Sequence, residues 1–205
     1  MAEDATAPNP AVGRIRGSAV YHFVRWVQDN VGVDVLDRAA ERIPRHLRDG
    51  IHPGEMVLGI LSSKWYRADA IHALLDALLA DPDAPTLAQL AREPIEEVMN
   101  KTLRGVYRAL FSWLATPDRY AKYAAKLWSS YYGDGEFVVV ADDDDRGSVT
   151  TISQWSGHHP LLCEANLEAA RTIYTYMGCV GVEVERNTCV DEGAPTCRYT
   201  VRWRS

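Results

Sequence analysis

Between Gly17 and Tyr132 the apolar positions recur every three or four residues, the period of a buried helix face. Val20, Phe23, Val24 and Val27 form a first stripe, which Ser18 can cap and Gly32 can end. Val33 to Ile43 read as a second helix, stopped by Pro44. Ile71, Leu74, Leu75, Leu78 and Leu79 mark a third, behind Trp65-Tyr66 and closed by Asp81-Pro82. The longest helix is expected from Ile95 to Leu114, with Val98, Met99, Val106, Leu110 and Trp113 facing inward. Thr116-Pro117-Asp118 then supplies a cap, a proline at the first helical position and a first-turn acid. The helix it opens carries Tyr120, Tyr123, Leu127 and Tyr131 and closes at Gly133 and Gly135.

The period then changes. Phe137-Val138-Val139-Val140 and Val149 to Trp155 read as strands around the acidic turn Asp142 to Asp145. Pro160 opens a last helix with Cys163, Leu167, Ala170, Tyr174 and Met177 on one side, ended by Gly178. Val180 to Cys189 and Cys197 to Trp203 are two further strands, joined through Asp191 to Pro195. A helical half followed by β-β-α-β-β predicts an α+β fold in one compact domain over residues 14–205, behind a disordered tail over 1–13.

Composition narrows the function. With 205 residues, 47% hydrophobic and 24% charged, the chain is ordinary globular material. Its formal charge of −6 argues against a direct nucleic-acid partner, which would need concentrated Lys and Arg. The N-terminus lacks the basic and apolar regions of a signal peptide, and no apolar run reaches a membrane span. A cytoplasmic protein is expected, in which thiols stay reduced.

All four cysteines, Cys163, Cys179, Cys189 and Cys197, fall in the last quarter of the chain. Cys163 sits in the first turn of its helix, where the peptide dipoles favour a thiolate. Pairing Val190 with Thr196 sets Cys189 opposite Cys197, close enough to share a tetrahedral metal. A fourth ligand could come from Asp142 to Asp145, His158, His159 or Glu164. That simple register conflicts with the strands' own patterns, because it puts Val180, Val182 and Val184 on the face opposite Tyr199, Val201 and Trp203. A bulge between Glu185 and Cys189 would reconcile them. Residue spacing leaves three readings open: buried thiol filler, a metal site or a disulfide. Cys179, beside Gly178, reads as filler.

Three segments carry a resemblance: Trp65-Tyr66-Arg67, Trp128-Ser129-Ser130-Tyr131-Tyr132-Gly133-Asp134-Gly135, and Cys189…Gly193…Cys197-Arg198-Tyr199-Thr200-Val201-Arg202-Trp203. They resemble a myxobacterial paralogous family of unknown function. That family is similar to the 4-vinyl reductase-type domains of the NO-signalling and Golgi-transport (TRAPP-like) ligand-binding superfamily. The resemblance implies a module for a small apolar or aromatic molecule or a lipid, often homodimeric through its helices. In sensor domains of that kind, cysteines at places matching Cys163, Cys189 and Cys197 hold a structural zinc. The pattern's acidic fourth ligand has no clear counterpart here. The haem-binding branch uses a histidine followed by a Tyr-Ser-Arg motif that this chain lacks, so haem is not expected.

Metalloprotease, deaminase, phosphate-loop and Gly-x-Ser-x-Gly patterns are absent, so no enzyme is expected. His158-His159 reads as a helix cap or a solvated loop beside Pro160. Trp128, Tyr131 and Trp155 are the candidates to line an apolar pocket, with His158 orienting a polar group of the ligand. The expected function is a non-catalytic sensory domain whose occupancy is read by a protein partner. The alternative is an assembly subunit whose pocket is filled by its own side chains.

Overall fold

The computed structural model of the chain describes residues 13–102, 116–142 and 146–204. It opens with a ribbon that the apolar periodicity does not announce. β1 (Arg14–Arg16) pairs antiparallel with β2 (Trp65–Arg67), and three residues are too few to display a strand period. Helix α1 (Gly17–Asn30) starts at once, and the side chain of Ser18 does not cap it. Instead the amides of Gly17 and Ser18 donate to the carbonyls of Lys64 and Ser62 at 2.7 and 3.0 Å. That approach requires Gly17, because a Cβ there would lie 2.0 Å from the Leu61 carbonyl oxygen.

Helices α2 (Val33–Arg42) and α3 (Ala68–Leu79) pack together as the apolar stripes require. An ionic clamp joins them: Arg38 donates through Nε and Nη2 to Asp81 at 3.0 and 2.7 Å, and Arg42 lies 3.4 Å from the same buried carboxylate. Helix α4 (Leu87–Thr102) begins eight residues before the expected start at Ile95. Thr86 and Gln89 form a reciprocal capping box, and Pro94 is carried inside the helix. The continuation expected to Leu114 lies outside the described residues, as do the tail 1–12 and Asp143 to Asp145.

Helix α5 (Pro117–Trp128) follows, with the Thr116 hydroxyl accepting from the Arg119 amide. It packs on β3 (Glu136–Ala141), which pairs with β4 (Gly147–Ser153). Helix α6 (Pro160–Tyr176) then leads to β5 (Val180–Thr188), and β6 (Cys197–Arg204) returns between β5 and β4. The antiparallel sheet therefore runs β3-β4-β6-β5. Its inner face buries Phe137, Val139, Ile152, Tyr199 and Val201 beneath α5 and α6. This is the expected α+β arrangement.

The register conflict at the last hairpin is resolved by a bulge. Val184 pairs with Val201 and Arg186 with Tyr199, so the valines and aromatics share a face. Thr188 pairs with Arg198, leaving Asn187 as the extra residue. A second register shift lies between Val180 and Glu183.

Candidate metal centre and aromatic box

The bulge brings the last hairpin's cysteines to the start of α6. Cys189 follows β5, Cys197 opens β6, and Cys163 stands in the first turn of α6; all three are buried. The Cys189 and Cys197 sulfurs are 3.6 Å apart, and Cys163 lies 3.9 Å from Cys197. His158 Nδ1 lies 3.5 Å from Cys163 and 3.5 Å from Cys197. A tetrahedral zinc with Zn–S ~2.3 Å and Zn–N ~2.0–2.1 Å requires edges of ~3.8 Å between sulfurs and ~3.6 Å between sulfur and nitrogen. These four separations match those edges, but the ligand atoms fall into two overlapping groups, His158–Cys163–Cys197 and Cys163–Cys189–Asp191, and not into one four-atom cluster.

Burial dominates the electrostatics of the cluster. Burial pushes the Cys163 thiol far up, and the neighbouring Cys197 and Cys189 sulfurs add to it. Cys197 is also raised, chiefly by burial, although the Val190 N–H donates to its sulfur at 3.4 Å. Burial pushes the His158 imidazole down, so near neutrality its ring is uncharged and keeps a lone pair. These thiols are not activated nucleophiles, but a dication would stabilise them as thiolates. Beside them is a cavity of about 10 Å³ lined by Ile152, Leu167, Tyr199 and the three cysteines, room for about one water.

The other nominated fourth ligands have other partners. His159 Nδ1 caps α6 by accepting from the Leu161 amide at 3.2 Å, so its Nε2–H donates to Asp76 at 3.1 Å. Glu164 is paired with Arg186. Asp142 lies at the β3–β4 hairpin and belongs to neither cluster of possible ligands. Asp191, unremarked in the sequence, lies 3.9 Å from the Cys189 sulfur but is exposed. Cys179 is half-buried and outside both groups.

His158 also touches an aromatic box, its ring centroid 4.9 Å from that of Trp155. Trp155 meets Trp128 edge-on at 4.9 Å, and Trp128 stacks on Phe137 at 4.9 Å. Tyr132 closes the group at 4.2 Å from Trp128 and 4.8 Å from Trp155. The Trp128 indole N–H donates to the Asp134 carbonyl at 3.1 Å. The buried Trp155 indole N–H meets no acceptor among the described residues. Of the expected pocket residues, the structure thus gathers Trp128, Trp155 and His158, while Tyr131 is 43% exposed. Tyr132 and Phe137 were the unread members. Tyr132 lies one helical turn beyond Trp128, and Phe137 shares the inward alternation of β3 with Val139.

No protein-family model and no curated protein matches the chain. Solved structures do. The unliganded Fe(II) H-NOX protein of K. algicida is 14% identical, with a TM-score of 0.65 over 93% of this chain and 97% of that one. An H-NOX protein of S. oneidensis is 9% identical, with a TM-score of 0.63 over 93% and 97%. A mutant of the T. tengcongensis H-NOX is 10% identical, with a TM-score of 0.61 over 93% and 98%. The chain has an H-NOX-like fold.

H-NOX structures include haem proteins, and five of the six histidines of this chain are exposed or turned to other partners. His22, His46 and His52 are exposed. His159 has both nitrogens engaged and His158 turns Nδ1 to the thiols. His72 packs against His159, their rings 5.5 Å apart, and its buried Nε2 has no hydrogen-bond partner among the described residues.

Proposed function

We propose that this chain is a non-catalytic ligand-binding domain whose aromatic box is anchored to a structural zinc held by His158, Cys163, Cys189 and Cys197. The observation that carries the reading is the double role of His158. One ring faces two thiols at tetrahedral spacing and lies against Trp155, so metal and box share a wall. Trp128, Trp155 and His158 face the ligand, with Tyr131 outside at the surface. The unpartnered Trp155 N–H would donate to one acceptor on an otherwise apolar or aromatic molecule. The resemblance to 4-vinyl reductase-type sensor domains supports the same assignment, including a homodimer and a protein partner that reads occupancy. No helix of the described residues is long and apolar enough to cross a membrane, which accords with a cytoplasmic setting.

The second reading is an assembly subunit with a filled pocket. It rests on the close mutual packing of the box rings, at 4.2–4.9 Å between centroids. Native mass spectrometry separates the two. The sensor reading expects one zinc per chain and a further small mass, released on denaturation and lost in Trp155→Phe. Zinc alone, with no uptake from an aromatic-compound panel, leaves the assembly subunit. A metal-free protein sinks the zinc assignment.

A further inference from the structure

The two edges of the four-stranded sheet are built differently. β5 is charged, with Glu183, Glu185 and Arg186, and its register breaks twice. Charges and bulges are the devices that blunt an edge against pairing. β3 has neither bulge nor Lys, Arg or Pro: all six residues pair with β4 without a shift. Val138 and Val140, 51% and 59% exposed, stand on its outer face.

The hydrogen-bond phase of β3 can be read directly. The Asp142 amide donates to the Gly147 carbonyl at 2.9 Å, which makes 142 and 147 a hydrogen-bonded pair. Alternation then commits the backbone groups of Val140, Val138 and Glu136 to β4. Those of Phe137, Val139 and Ala141 point away from the sheet, and no backbone hydrogen bond reaches them from the described residues outside β4. Such a row is a template for another strand.

We propose that a second copy of this chain fills that row, the two β3 strands running antiparallel about a twofold axis with Val139 opposite the partner's Val139. Phe137, Val139 and Ala141 then bond to the partner's Ala141, Val139 and Phe137, and no outward group is left over. The same register sets Val138 against the partner's Val140 in the non-hydrogen-bonded positions, where side chains approach closest. All four exposed valines cover one another. A slip of two residues either way strands backbone groups and sets a valine against Glu136 or Asp142. The edge is thus complementary to itself, as an isologous contact must be. At its ends Glu136 faces the partner's Asp142, a like-charge pair that salt screens. This interface is independent of zinc and of any ligand.

Sedimentation equilibrium at low and high salt tests it, together with residue-resolved amide exchange. The natural protein is expected to dimerise with rising concentration and more tightly in salt. Val138→Lys/Val140→Lys changes only exposed side chains, so it should be monomeric and melt where the natural protein melts at concentrations too dilute for the dimer. Glu136→Lys, placed opposite the partner's Asp142, should dimerise more tightly at low salt. Amides of Phe137, Val139 and Ala141 should gain protection with concentration, while those of Val138 and Val140 stay protected throughout. A protein monomeric at every concentration, as one awaiting a foreign strand would be, overturns the proposal. So does a dimer that survives the double lysine change, or one that protects other amides.

Discussion

His158 shows how little a residue's type says of its role. Its neighbour His159 has the same side chain, yet one caps α6 while the other faces sulfur. Replacing His158 with Ala should lower zinc affinity beyond the ~10–100-fold typical of losing an outer-shell partner. Asp191→Ala should leave it nearly unchanged, as competition against a chromogenic chelator would show. Cys189→Ser/Cys197→Ser should cost several kcal/mol through lost metal binding, whereas Cys179→Ser should cost about 0.5–1 kcal/mol. A second residue-scale test lies between the sheet and α6, where the Ser148 and Tyr174 hydroxyls share a buried 2.7 Å hydrogen bond. Tyr174→Phe strands the serine and should cost about 1–2 kcal/mol by chemical denaturation. Adding Ser148→Ala should cost less than the two single losses combined.

At the scale of elements, the fold is held where short polar links join apolar faces. Arg38 and Arg42 reach from α2 to Asp81, just beyond α3. Hydrogen bonding from Arg38, with the nearby guanidinium charges, holds the Asp81 carboxyl down at about 2. An unfolded aspartate titrates near ~3.9, so the clamp's contribution is full above that value and is lost as pH falls toward 2. Asp81→Asn should be less stable than the natural protein at neutral pH, and the difference should shrink across that acid window. Melting curves at stepped pH would show it, and a constant difference would refute the linkage. The apolar periodicity located α1, α2, α3, α5 and α6. It placed the start of α4 at Ile95, whereas the Thr86–Gln89 box sets it earlier, with Pro94 inside the helix. It passed over β1 and β2 because three-residue strands carry no period.

In the whole molecule, α6 links the two halves: it packs on α4 on one side and on β5 and β6 on the other. The cysteine cluster pins its N-terminus to the last hairpin. On the proposed zinc assignment, a strong chelator should therefore lower the melting temperature of the whole domain in one cooperative transition. A first transition confined to the hairpin would show that the site supports only its own loop. With zinc restored, the original transition should return.

The sequence by itself determined the α+β order, because burying one face leaves a period of 3.6 in helices and 2 in strands. It also marked the four late cysteines and the need for a bulge, because two valine and aromatic alternations could not otherwise share a core. It could not show which residue takes the extra place, which of His158 and His159 turns to the thiols, or that Tyr132 rather than Tyr131 enters the box. Those choices depend on groups far apart in the chain. Asn187 is extruded by the match of β5 to β6, and His159 is held by Asp76 on α3. Side-chain type sets what a residue can bind, and tertiary packing decides which partner stands within reach.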